Sequence, residues 1–194
     1  LTAQAQIMGA KVTRISLQPR QGAWALDIDA LCAAVTPRTR VLLINAPNNP
    51  TGWTLTRDEQ QRILDHCRST GTWIVADEVY ERIWFGAGAA APSFLDIASD
   101  VDRLVVAHSF SKSFLMTGWR LGWLVLPRGV SDAMGKLIEF NTSCSPVFVQ
   151  RAALAALQEA PRSVPALAQR LRACRDLLVD GLLALPRVQV ARPE

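Results

Sequence analysis

Hydrophobic positions along this chain fall into short unbroken runs, followed by longer helical stripes. Val41 to Ile44, Trp73 to Ala76 and Leu104 to Ala107 are each a few apolar residues without polar interruption. That is the pattern of a strand covered on both faces. Leu121 to Leu126 reads as a further buried strand, stopped by Pro127. Lys11 to Leu17 alternates instead, with Val12, Ile15 and Leu17 apolar, which predicts a half-buried strand. Helix signals lie between the runs. Asp27 and Asp29 can cap a short helix with Leu31, Ala34 and Val35 on its apolar face, ended by Pro37. Thr56-Arg-Asp-Glu59 is a capping box, opening a helix with Ile63, Leu64 and Cys67 inward and Gly71 at its end.

Beyond Pro127 the pattern turns helical. Residues 131–142 form one stripe and Val149 to Glu159 another, broken by Pro161 and Pro165. A last stripe steps by three or four through Leu167, Leu171, Cys174, Leu178, Leu182 and Leu185. Val188 to Val190 predicts the first strand of a second domain. Strand, helix, strand with short links predicts an α/β fold with a mostly parallel sheet flanked by helices. The first residue is Leu1, not Met, and a new strand opens just before Glu194, so both ends are expected to be cut from a longer protein.

Composition narrows the function classes. With 49% hydrophobic and 20% charged residues, the 194-residue chain can bury a sizeable core. Its net charge of +4 comes from 21 basic and 17 acidic residues, scattered rather than grouped. No basic stripe carries interleaved aromatics, so nucleic acid is not an expected partner. No apolar stretch approaches the ~20 residues of a membrane span. Cys32, Cys67, Cys144 and Cys174 lie far apart, without a C-x-x-C pair, which suits a reduced, cytoplasmic thiol set with no metal.

In an open α/β sheet, ligands bind outside the carboxyl ends of the strands. Three runs each stop there at a polar cluster: NAPNNPTG (45–52), DEVY (77–80) and SFSK (109–112). If the runs are parallel neighbours, Asn45, Asn49, Asp77, Tyr80, Ser109, Ser111 and Lys112 converge on one crevice. Lys112 is one of only three lysines against eighteen arginines, and Arg120 follows eight residues later in GWRLG (118–122). Pyridoxal phosphate makes sense of this set. Its aldehyde needs a neutral amine, which burial and a nearby cation favour; Lys112 is the candidate. Its ring nitrogen needs a carboxylate to stay protonated, and Asp77 can supply one. Opposite charges 3 Å apart attract by roughly 5 kcal/mol at an effective dielectric near 20, before desolvation. Tyr80 and Asn49 suit the ring's 3-oxygen. The Ser109 and Ser111 hydroxyls and the Arg120 fork suit the phosphate.

These four segments, in this order and spacing, resemble the class I/II aminotransferases of the fold-type I pyridoxal-phosphate enzymes, over essentially the whole chain. The resemblance implies the large cofactor-binding domain of the aspartate aminotransferase-like fold, a three-layer sandwich. It places most of that domain in residues 1–160, and a long linking helix and the start of a small C-terminal domain in 161–194. It implies transamination between an amino acid and a 2-oxo acid, with a homodimer as the working form. Lys112 becomes the Schiff-base lysine and the base of the proton shift, and Asp77 the partner of the pyridine nitrogen. Tyr80 and Asn49 hold the 3-oxygen, Asn49 also touching the substrate carboxylate. Ser109, Arg120 and, less directly, Ser111 bind phosphate. The family's phosphate-binding loop and ring-stacking aromatic precede the point where this chain starts, and its carboxylate-binding arginine lies beyond Glu194. Neither Arg187 nor Arg192 fits that arginine's motif, so the chain by itself is expected to be inactive. Two rivals share the scaffold: a β-eliminating or C–S lyase, and the effector domain of a transcription regulator. His66 is expected to face solvent and His108 to lie near the site; no motif supports a Cys144–His108 nucleophile pair.

Overall fold

The computed structural model describes residues 2–194. In chain order it holds α1 (Thr2–Ile7), β1 (Gln18–Arg20), β2 (Ala23–Ala25), α2 (Ile28–Ala34), β3 (Val41–Asn45), α3 (Arg57–Thr70), β4 (Trp73–Asp77), β5 (Leu104–Ser109), β6 (Gly122–Val125), α4 (Ser131–Thr142) and α5 (Val147–Leu183). The main sheet runs β3-β4-β5-β6, with β3, β4 and β5 parallel and β6 antiparallel to β5. The α/β class and the mostly parallel sheet are as the sequence predicts.

Local chemistry accounts for α2 and α3. Asp27 caps α2, its side chain accepting from the Ala30 N–H. At α3 the capping box is complete: the Glu59 N–H donates to Thr56 Oγ1 and the Thr56 N–H to Glu59 Oε2. Gly71 closes α3 in the left-handed region (φ 70°), returning its N–H to the Arg68 and Cys67 carbonyls. One face of the sheet (Ile44, Ile74, Ala76, Leu104, Val106) packs on Ile28, Leu31, Ile63, Leu64 and Cys67 of these helices. Each fully buried Ile or Leu contributes about 1.5–3 kcal/mol through removal from water.

Strand period sends Val41, Leu43 and, across β6, Leu124 to the opposite face, where Leu43 is still 45% exposed. The described residues therefore build two layers of the expected sandwich; the apolar face for a third is there without its cover.

Several expectations are corrected. Lys11 to Leu17 forms no strand; the local hairpin is β1–β2, turning at Gln21 and Gly22, both with positive φ. That turn twists with the strands it joins, and alternation without a partner edge makes no strand. β6 is an exposed edge strand, not a buried one, because among the described residues β5 is its sole neighbour. Pro161 and Pro165 do not break α5. Each removes one helical N–H, at about 3 kcal/mol. Both lie on the solvent side, where water reaches the carbonyls they leave unserved, while Val149, Ala153, Ala160 and Val164 hold the inner side. Val188 to Val190 is irregular. His66 does not simply face solvent: its Nε2 lies 2.9 Å from the carbonyl of Val35, at the end of α2.

One ion pair clasps α3 to the turn before β5. Arg68 donates Nε–H and Nη2–H to the two oxygens of Asp102, each at 2.8 Å, and Ser99 adds its N–H and hydroxyl to Oδ2. Arg68 above all holds the Asp102 carboxyl well below the usual carboxylate range. An acid depressed by folding contributes stability above its unfolded pKa of about 3.9 and loses it as pH falls towards the folded value. Asp102→Asn should therefore cost about 2–3 kcal/mol at pH 7. The deficit should shrink as pH drops below about 4. Urea melts at neutral and acid pH check this, and a pH-independent deficit would contradict it.

Candidate functional site

Parallel register lines up the strand ends. Asn45 pairs with Asp77, and Asp77 with Ala107, two residues before Ser109. Ile44, Ala76, Val106 and His108 are buried towards α3, so alternation turns Asn45, Asp77 and Ser109 to the open face. β6 runs antiparallel, with Gly122 opposite Ser109, so both ends of the 110–121 loop return to the same rim. A Cβ on Gly122 would stand 2.6 Å from the His108 carbonyl oxygen, a close approach that requires glycine.

The NAPNNPTG loop hangs from the end of β3. Asn45 donates its amide to the Asp77 carbonyl (3.1 Å) and accepts the Asn49 N–H on Oδ1 (2.9 Å). Asn48 ties the far side, accepting the Thr51 hydroxyl at 2.8 Å. Thus held, Asn49 reaches across to Tyr80, its Nδ2 donating to the phenol oxygen at 3.0 Å. The amine of Lys112 lies 5.1 Å from the centroid of the Tyr80 ring. Asp77 sits beside them, half-buried. Burial pushes its carboxyl above the ordinary range, against the pull of the Val79 N–H and the Lys112 charge. Asn49, Asp77, Tyr80 and Lys112 are thus one cluster.

The expected phosphate residues are less uniformly placed. Ser109 Oγ accepts the Ser111 N–H at 3.0 Å and lies 3.5 Å from the Leu121 carbonyl oxygen. The Ser111 side chain is buried beneath the loop. Phe110 and Met116 anchor this loop against Ala153 of α5. Arg120 stands at the rim with φ 53°, its guanidinium donating to the Thr117 carbonyl at 2.8 Å. It lines an open cleft of about 670 Å³ with Trp119, Cys144, Ser145 and Phe148. Lys112 and Asp77 do not line that cleft, and the contact the Arg120 guanidinium makes is within its own loop.

One side chain, Glu78, escaped the sequence reading, and two others, Asn45 and His108, have contacts that it did not give. Asn45 splices the loop to β4; its spacing four residues before Asn49 was the available signal. Glu78, in the strand-end DEVY, is turned by the alternation to the back of the sheet and is 3% exposed. There it accepts the Ser93 hydroxyl (2.5 Å) and the Phe94 N–H (3.0 Å). Burial pushes its carboxyl up to about 7. His108 also lies behind the sheet, not in the crevice: its ring stacks on Trp123 at 5.0 Å and its Nδ1 is 3.5 Å from Glu81 Oε2. Period two in β5, read from Ser109, would have placed it there.

A family model described as aminotransferase class I and II matches residues 1–194. The chain is 34% identical to an aspartate aminotransferase of Musicola paradisiaca (strain Ech703) over 99% of its own length and 48% of that protein's. It is 32% identical to an arginine–pyruvate transaminase of Pseudomonas aeruginosa, covering 96% of this chain and 47% of that one. Among solved structures, the N-succinyldiaminopimelate aminotransferase of Mycobacterium tuberculosis superposes with a TM-score of 0.85 at 34% identity, over 92% of this chain and 46% of that one. The chain spans about half the length of the curated relatives it matches.

Proposed function

Because this chain belongs to the class I and II aminotransferases, we propose that its three strand ends hold pyridoxal phosphate in an enzyme that moves an amino group between an amino acid and a 2-oxo acid. The observation that carries this reading is the cluster of Asn49, Tyr80 and Lys112 beside the half-buried Asp77. The donor set fits the group: one amine, one carboxylate, one phenol and hydroxyls at a single rim. When bound, the cofactor supplies an electron sink that lets the α-proton of an amino acid leave.

This chain's residues do the rest. Asp77 keeps the ring nitrogen protonated; its partial burial strengthens that interaction by removing competing water. Tyr80 and Asn49, already hydrogen-bonded to each other, would hold the 3-oxygen, and Asn49 would also touch the substrate carboxylate. Ser109, with Ser111 behind it, and a reoriented Arg120 grip the phosphate. Lys112 would hold the cofactor through its amine and, when that amine is free, would move the proton at the substrate α-carbon. Arg192 is engaged by Asp176 and Asp180, consistent with a substrate clamp supplied elsewhere. Residues 1–160 then form most of the cofactor-binding domain, and 161–194 the rest of the linking helix, which is α5 as far as Leu183, and the start of a second, smaller domain. The half-exposed apolar sheet face and Phe140, 97% exposed on α4, favour a homodimer as the working form. Free thiols at all four cysteines, two of them exposed, suit the cytoplasm. Among the described residues no helix is long and apolar enough to cross a membrane.

A half-reaction tests the reaction class. With pyridoxal phosphate and one amino acid, the expected products are the amine form of the cofactor and the 2-oxo acid in equal amounts. Release of ammonia and pyruvate with the aldehyde regenerated would identify a lyase instead.

A further inference from the structure

Directly behind the cluster just described lies a second one that the proposed transamination does not use. Asp77 and Ser109 face the open side; their chain neighbours Glu78 and His108 face the other, and Glu81 turns in beneath Tyr80 to join them. One ligand atom from each of Glu78, Glu81 and His108 lies within 4.8 Å of the others. His108 is 8% exposed, and its Nδ1 has no hydrogen-bond partner among the described residues. The nearest acceptor, Glu81 Oε2, is 3.5 Å away, too far for a good hydrogen bond. That spacing suits two atoms bound to one ion, because ligands ~2.1 Å from a tetrahedral metal stand roughly 3.4 Å apart.

The surroundings are those of a prepared site. The Ser93 hydroxyl and the Phe94 N–H orient the Glu78 carboxylate while leaving each oxygen a lone pair. Trp123 fixes the imidazole plane by stacking on it. Charge points the same way. Arg82 pairs with Glu81 Oε1 at 3.2 Å and offsets one carboxylate. The other has Asp96 as a further acidic neighbour and no cation of its own among the described residues. A buried, uncompensated carboxylate must take up either a proton or a cation.

We propose that Glu78, Glu81 and His108 form a site for one divalent cation of borderline softness, Zn²⁺, which ties the turn bearing Tyr80 to the strand bearing Ser109 from behind. One imidazole nitrogen and two carboxylates are a donor set for such ions rather than for Ca²⁺ or Mg²⁺. The site is structural in role and does not require the cofactor.

Calorimetric titration of the chelator-treated full chain with Zn²⁺, paired with thermal melting, tests it. One ion per chain is expected, with a rise in melting temperature of roughly 5–10 °C at hundredfold excess over the dissociation constant. His108→Gln and, separately, Glu81→Gln should each remove most of that rise and weaken binding at least tenfold; Glu81 is only partly buried, so its variant serves if the first does not fold. Cys144→Ser with Cys174→Ser should leave the rise intact. No binding to the parent chain means that a proton alone neutralises the cluster, and overturns the proposal. Binding that survives both the His108 and the Glu81 substitutions, or is lost with the two exposed cysteines, overturns it equally.

Discussion

Lys112→Ala is expected to eliminate the visible absorption that the proposed binding of pyridoxal phosphate would produce, and to lower turnover of the active enzyme by at least about 10⁴-fold. The size of the effect follows from the amine's two duties, carrying the cofactor's carbonyl carbon and moving the substrate's α-proton. No neighbour can take over either one. Lys11 precedes the β1–β2 hairpin and Lys136 sits on α4, both exposed. Stability should barely change, since Lys112 forms no ion pair among the described residues and its nearest partner is the Tyr80 ring face. Cofactor binding should weaken without disappearing, because Asp77, Tyr80 and Asn49 are untouched. An unchanged visible band would remove Lys112 from its proposed role.

Asp77→Ala is the second large effect, and it should divide unevenly between catalysis and binding. The carboxylate is half-buried, and burial pushes its pKa up. In the proposed role it faces the ring nitrogen and holds no part of the sheet through its side chain. Its backbone carbonyl, which receives the Asn45 amide, survives the substitution, so the NAPNNPTG loop stays in place. We expect turnover to fall about 10²–10³-fold, the loss typical of removing one preorganised electrostatic partner. Cofactor affinity should fall far less, and the melting temperature should hold or rise. Equal losses in turnover and affinity would mark Asp77 as a structural carboxylate.

What could be read without coordinates was what depends on near neighbours in the chain. The continuous apolar runs of β3, β4 and β5, the capping box at Thr56 and the αL glycine at Gly71 each carry their own cause and appear where expected. The cluster of Asn49, Asp77, Tyr80 and Lys112 was legible because parallel strands deliver their carboxyl ends to one rim. Errors arose where tertiary context decides. Two prolines inside α5 were read as breaks because their exposure could not be seen, and the run at 121–126 was read as buried because nothing in it reveals an edge. Arg120 shows a subtler limit. Sequence puts it eight residues after Lys112, but that its guanidinium donates to the Thr117 carbonyl is a side-chain choice the spacing does not fix. His108 was expected near the site; period two in β5 adds that its ring lies behind the sheet.

The most direct measurement is reductive trapping. Pyridoxal phosphate is added to the chain, the carbon–nitrogen double bond is fixed with borohydride, and the labelled peptide is mapped by mass spectrometry. With three lysines to choose from, the account predicts a single pyridoxyl group on Lys112. Label on Lys11 or Lys136, or spread across all three, would contradict it.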